Sequence, residues 1–150
     1  LAPTRFLLLL LATMRFRLAP RIESAGITLQ WEVQPVPSLP WLDPDGALHI
    51  LRIVQECVAN VLRHTRATTI CVSTATVDDG VCVVVEDNGG GFDLQEAMRR
   101  GGRGLRNQQR RAHAIGGTVG WQSGANGTRF TLWLPLHRKA ETDKAAISTF

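Results

Sequence analysis

Residues 83–93 read VVVEDNGGGFD: a valine run ends in two acids, an asparagine, three consecutive glycines and a phenylalanine. An ionised carboxylate only accepts hydrogen bonds. Asp87 at a strand end therefore suits a ligand that presents a donor, as the exocyclic amino group of adenine does. Gly89 and Gly91 can take dihedrals closed to other residues and let bare backbone approach a flat ring. Upstream, Glu56 and Asn60 are four residues apart and so project from one face of a helix. A neutral amide oxygen is a hard ligand suited to a magnesium ion that already bridges phosphates. A carboxylate one turn earlier can orient or deprotonate a nucleophile. A solvated polar face would also explain the pair. Downstream, GGRGL (residues 101–105) precedes a helix, so Gly102, Gly104 and Leu105 offer backbone N–H groups to phosphate oxygens, and Arg103 adds positive charge. A hinged loop is the plainer alternative. Thr128 follows the glycine turn GANG, where its hydroxyl could support the Asp87 carboxylate or simply belong to a strand.

These residues need elements to hold them. Residues 1–19 place Leu7, Leu8, Leu11, Met14 and Leu18 near helical spacing, with Pro20 near the end. ITLQWEV (27–33) alternates as a half-buried strand, and the proline-rich residues 33–41 form a loop. Asp43-Pro44 reads as a capping acid followed by proline at the first helical position, opening a helix to about His64. Ile50, Leu51, Val54, Cys57, Val58, Val61 and Leu62 gather on one side of it; Arg52, Glu56, Asn60 and Arg63 fall opposite. Strands are expected over 68–77 and 81–86, joined by Asp78, Asp79 and Gly80. Residues 94–100 read as a short helix or a mobile loop, and 105–115 as a helix stopped by Gly116-Gly117. A second hairpin, 118–122 and 128–134, turns at Asn126-Gly127. Hairpins with helices between them predict an α+β two-layer sandwich, a mixed and mostly antiparallel sheet covered on one face by helices.

The chain has 150 residues, enough for one domain with a real core, and its 44% apolar and 20% charged residues are ordinary for a soluble protein. The apolar run at 6–12 (FLLLLLA) is too short to span a bilayer. The first residue is Leu1 rather than Met, which leads us to expect a fragment of a longer protein. Cys57, Cys71 and Cys82 match no zinc spacing and lie among apolar residues, as buried reduced thiols of a cytoplasmic protein would. A net charge of +4 favours an anionic partner. Six arginines crowd residues 99–111 without interleaved aromatics, which disfavours a single-stranded nucleic acid, so no nucleic-acid partner is expected. No GK[ST] follows a glycine loop, the dinucleotide fingerprint lacks its third glycine, and neither a G-x-S-x-G elbow nor H-E-x-x-H is present.

Taken in order, QECVANVLRH, EDNGGGF, GGRGL and GTRFTLWLPL resemble the N box and three G boxes of the ATP-binding domain of the gyrase, heat-shock chaperone and histidine-kinase superfamily. More narrowly, the chain resembles the catalytic domain of two-component sensor histidine kinases of the nitrate-sensor type, over about residues 25–136. The resemblance implies a Bergerat-type fold binding ATP and Mg2+. It implies Asn60 as the magnesium ligand, Glu56 as the catalytic acid of the N box, and Asp87 as acceptor of the adenine amino group beside Gly89, Gly91 and Thr128. Gly102, Arg103, Gly104 and Leu105 would belong to the lid over the phosphates, with Arg103 where relatives often carry histidine. His64 ends the N box, either against phosphate or on the surface. Cys57 and Thr65 replace alanines common in relatives.

The family's phosphoacceptor histidine sits on a dimerisation helix beside an acidic residue. His49 and His64 lie on the ATP-binding helix, and His113 and His137 lack an acidic neighbour, so the acceptor is expected outside this chain. Residues 1–22 then read as the end of a dimerisation helix or a linker, 23–137 as the catalytic domain and 138–150 as a polar tail. The leading leucines would face a helical partner and be left exposed here. The expected partners are those dimerisation helices, in a homodimer, and a response-regulator receiver domain. Upstream segments could anchor the full-length protein in the inner membrane. An anti-sigma-factor type serine kinase, or a nucleotide-gated interaction module without turnover, would share the same fold.

Overall fold

The computed structural model describes residues 6–64 and 66–137; the side chain of His64, Thr65 and the expected polar tail lie outside the described residues. The elements are α1 (Phe6–Ser24), β1 (Thr28–Glu32), α2 (Pro44–His64), β2 (Thr69–Val77), β3 (Gly80–Asp87), α3 (Leu94–Arg99), α4 (Arg103–Ala114), β4 (Thr118–Gly124) and β5 (Gly127–Pro135). The five strands form one sheet in the order β1-β2-β3-β5-β4. Only β1 and β2 pair in parallel, with α2 as the crossover; the remaining pairs are antiparallel. Alternation sorts the side chains. Ile70, Val72, Val81, Val83, Val85, Phe130, Leu132 and Leu134 are buried on the face that meets the helices, while Glu86 and Arg129 form a cross-strand ion pair at 3.3 Å on the open face. The α+β two-layer expectation holds. Among the described residues, no helix is long and apolar enough to cross a membrane.

The first helix departs from its sequence reading in two ways. Leu7, Leu11, Met14, Leu18 and Ile22 are at most 4% exposed and join the same core cluster as the sheet, so the stripe expected to await a partner is covered by this chain's own core. The helix also runs past Pro20 to Ser24, across the expected boundary at residue 22. Proline removes one backbone hydrogen bond there, and burial of Ile22 beyond it holds the last turn. Leu9 and Phe16 do remain exposed on the opposite side.

The α2 cap is as expected: Asp43 Oδ1 accepts the Gly46 N–H at 2.8 Å. The helix has a different rotation, however. Ile53, outside the expected stripe, is fully buried, while Leu51 and Leu62 are only half-buried. Asn60 lies seven residues beyond Ile53 and nearly above it. Glu56 and Asn60 therefore flank the buried stripe instead of opposing it, and both are half-buried.

The β2–β3 turn is shorter than expected. Val77 pairs with Gly80, leaving Asp78 (φ 49°) and Asp79 (φ 55°) as the two turn residues. Gly80 serves packing instead: a Cβ there would overlap the Trp133 indole and sit 2.6 Å from the Leu134 carbonyl. That indole donates to the Val77 carbonyl at 2.9 Å. Gly80→Ala should therefore cost about 1–3 kcal/mol, the scale of an overpacked site, read as a lower denaturation midpoint with an unchanged slope. The other hairpin turns at Ala125 and Asn126, between the paired Gly124 and Gly127. Of the cysteines, all free, Cys57 and Cys82 are buried but Cys71 is half-exposed on the open sheet face.

Candidate functional site

A cavity of about 740 Å³ lies between α2, the end of the sheet, α3 and the start of α4. Such a volume suits a small-molecule ligand. Of the residues singled out from sequence, Glu56, Asn60, Asp87, Gly102, Gly104, Leu105 and Thr128 line it; Gly89, Gly91 and Arg103 do not.

Sheet register places one polar row at the cavity edge: Asp87 opposes Thr128, which opposes Ser123. Asp87 is 8% exposed. Burial pushes its carboxyl above the ordinary value of 3.8, while the Gly89 N–H and the Thr128 backbone favour the ionised form. The Gly89 N–H donates to Asp87 Oδ1 at 2.8 Å, so this glycine acts on the carboxylate from behind. The Thr128 hydroxyl shares a hydrogen bond with Ser123 Oγ at 2.8 Å instead of turning to Asp87. Ser123 Oγ also accepts the Phe92 N–H at 2.7 Å, which ties the glycine loop to β4. Gly91 (φ 71°) faces away from the cavity: a Cβ there would overlap the Gly124 carbonyl and approach Ser123 Oγ to 2.8 Å. Asn88 anchors the other side of the loop, its Oδ1 accepting the N–H groups of Thr68 and Thr69 at 2.8 and 2.9 Å. The loop after Asp87 is thus fixed to both β2 and β4.

On α2, the Arg63 guanidinium donates to Asn60 Oδ1 at 2.8 Å and to Glu56 Oε1 at 3.1 Å. One positive charge is therefore held between the amide oxygen and the carboxylate. That is the position a cation bound by these two groups would take, and the oxygen donor set is that of a hard ion. Among the described residues no cluster of three or more His, Cys, Asp or Glu could hold a metal. A magnesium ion would therefore need oxygens of its nucleotide and water to complete its shell, as such ions commonly do.

The glycine-rich segment at 101–105 makes a helix start. Gly102 (φ 55°) is the N-cap of α4, with no side-chain cap bond. Free N–H groups and the positive end of the helix dipole therefore open beside the cavity, a setting suited to phosphate. Between this start and the glycine loop lies α3, capped by Asp93 and laced by Glu96 to Arg99 and Arg100 at 3.5 and 3.1 Å. None of its residues is buried, so it belongs to the least stable part of the fold.

The sequence reading missed several lining residues. Arg63 was legible, because it lies three residues beyond Asn60 on the same helix face. Phe92, Glu96, Ala97 and Arg100 reach the cavity because α3 folds back over it, and Trp121 and Phe130 enter through strand pairing; local spacing signals neither. Cys57 also lines the cavity. Burial, then the nearby Asp87 and Glu56, raise its thiol pKa, so it stays protonated.

Comparison with known proteins adds to this geometry. Residues 45–138 match the model for the histidine kinase-, DNA gyrase B-, and HSP90-like ATPases. Sensor protein VraS of Staphylococcus aureus (strain COL) is 35% identical over 96 residues, covering 63% of this chain and 27% of that protein. The chain thus spans about a quarter of the length of the curated relatives it matches. Among solved structures, Acinetobacter baumannii histidine kinase AdeS superposes with a TM-score of 0.69 at 16% identity, covering 86% of this chain and 64% of that one. Full-length ShkA in complex with AMPPNP superposes with a TM-score of 0.69 at 25% identity, covering 84% of this chain and 29% of that one.

Proposed function

The chain belongs to the histidine kinase-, DNA gyrase B-, and HSP90-like ATPase family, and from that premise we propose that it is the ATP-binding catalytic domain of a sensor histidine kinase. The observation that carries this reading is one cavity that collects the Asp87 carboxylate, the Glu56–Asn60 pair and the open start of α4. A ligand there meets an acceptor for an amino group, oxygen donors for a cation and N–H groups for phosphate. That combination matches Mg-ATP.

In this reading Asp87 accepts from the adenine amino group, and Val85 and Phe130 supply the apolar wall beside it. Asn60 and Glu56 would hold magnesium and order the reacting end, and the uncapped N–H groups of α4 would receive phosphate oxygens. Magnesium, when bound, neutralises charge on the phosphates and keeps them in line for transfer. Arg63 must then leave the Asn60 oxygen, which frees its guanidinium for a phosphate. The γ-phosphoryl group would pass to a histidine on a separate dimerisation helix of a homodimer, and from there to an aspartate of a response regulator. The cytoplasm, where ATP and regulators meet, would be the setting.

The test is phosphotransfer from Mg-ATP in the full-length protein, followed by the stability of the product. A phosphohistidine is lost in acid and survives alkali. An acid-stable phosphoserine would instead identify a serine-directed kinase on the same fold, and nucleotide binding with neither product would leave an interaction module.

A further inference from the structure

A second, smaller pocket of about 450 Å³ lies where the end of α1 meets α2 and α4, and it shares Glu56 and Gly104 with the nucleotide cavity. Arg21, Arg52 and Arg111, one from each helix, line it, and none makes an ion pair among the described residues. Its wall includes Gln108, 1% exposed, whose Oε1 and Nε2 both lack a hydrogen-bond partner. A buried carboxamide without partners is costly, and such groups are rare in native structures. A water molecule could satisfy Gln108 but would leave three guanidinium groups without counter-charge. The occupant that answers both is an anion carrying an acceptor oxygen and a hydroxyl donor together.

We propose that this pocket binds inorganic phosphate as a monohydrogen oxyanion, separately from the nucleotide. Its ionised oxygens meet the three guanidinium groups, which contribute donors only. One more oxygen accepts from Gln108 Nε2, and the P–OH donates to Gln108 Oε1. Glu56 at the shared wall is a second acceptor for that hydroxyl and disfavours a fully deprotonated anion. Sulfate has matching size and charge but no O–H, so it leaves the Gln108 oxygen unpaired. The shared wall also predicts antagonism, since a bound phosphate puts negative charge beside the site of the nucleotide polyphosphate.

The test is calorimetric titration of the chain with inorganic phosphate and with sulfate, in wild type, Gln108→Met, Arg52→Ala and Asn60→Ala. Phosphate should bind wild type about tenfold more tightly than sulfate, the scale of one hydrogen bond plus a buried oxygen left unpaired. Gln108→Met should weaken phosphate by at least about tenfold, again the scale of such a lost pairing, while raising the melting temperature, because it removes two unpaired polar atoms. Arg52→Ala should weaken both anions, and Asn60→Ala should change neither. Equal affinity for phosphate and sulfate, no binding by wild type, or full phosphate affinity in Gln108→Met would each overturn the proposal. Loss in Asn60→Ala with retention in Gln108→Met would place the ion in the nucleotide cavity and overturn it too. None of these readouts depends on kinase activity, so the proposed function and this site can fail separately.

Discussion

Replacing Asp87 by Asn lowers ATP affinity by roughly ten- to a hundredfold, the scale of one lost hydrogen bond to a charged group. The carboxylate only accepts, whereas an amide also presents an NH2 that opposes the adenine amino group. The fold should tolerate the change. Asp87 is 8% exposed, and burial raises its pKa, so ionisation is what the ligand-free domain resists. For a raised carboxyl pKa, native stability falls as pH rises from the ordinary value through the raised one. The neutral amide of Asp87→Asn carries no such cost, so the variant should melt at the same or a higher temperature at neutral pH. Binding has the opposite dependence. It needs the ionised acceptor, so wild-type affinity for ATP declines as pH falls through the raised pKa, above the ordinary 3.8. The variant should lack that step. Calorimetry with a nonhydrolysable ATP analogue across pH reads the affinity and its pH step, and thermal melts read the stability. Wild-type affinity in Asp87→Asn would remove the adenine assignment.

Asn60→Ala abolishes the magnesium dependence of phosphotransfer and slows it by about a hundredfold or more, the scale on which removing one positioned electrostatic group slows a reaction. Asn60 Oδ1 is the neutral oxygen beside Glu56, and in the ligand-free domain it accepts from Arg63 at 2.8 Å. The substitution therefore also releases Arg63, and a second variant separates the two effects. Arg63→Ala leaves Asn60 and Glu56 in place, so its residual transfer should still require magnesium. The measurement is the initial rate in the full-length protein as magnesium is varied at fixed ATP. A normal magnesium titration in Asn60→Ala would dismiss the metal role.

Much of this site was legible because its parts are local. The capping Asp43, the four-residue spacing of Glu56 and Asn60, the Asp87 strand end and the glycine start of α4 each depend on neighbours within about a turn of chain. Roles assigned one residue at a time held up less evenly against the geometry. Gly89 supports the Asp87 carboxylate, Gly91 packs on the β4–β5 hairpin, Thr128 pairs with Ser123, and Arg103 lies off the cavity wall. Glycine can be required for a ligand or for a neighbouring strand, and the sequence looks the same in both cases.

The sequence by itself determined the elements, the two hairpins, the capped α2 helix and the order of the N-box and glycine blocks, because helical and strand periodicity and turn chemistry act over a few residues. Tertiary structure alone decided where those elements meet. It turned the α1 leucines into this chain's own core and paired β1 with β2 in parallel across the whole of α2. It also rotated α2 so that Asn60 lies above the buried Ile53, folded α3 over the cavity and left Gln108 buried without a partner. Each of these depends on contacts between segments far apart in the chain. Burial of a shared core, and not local preference, sets which face a helix turns inward and which side chains a cavity receives.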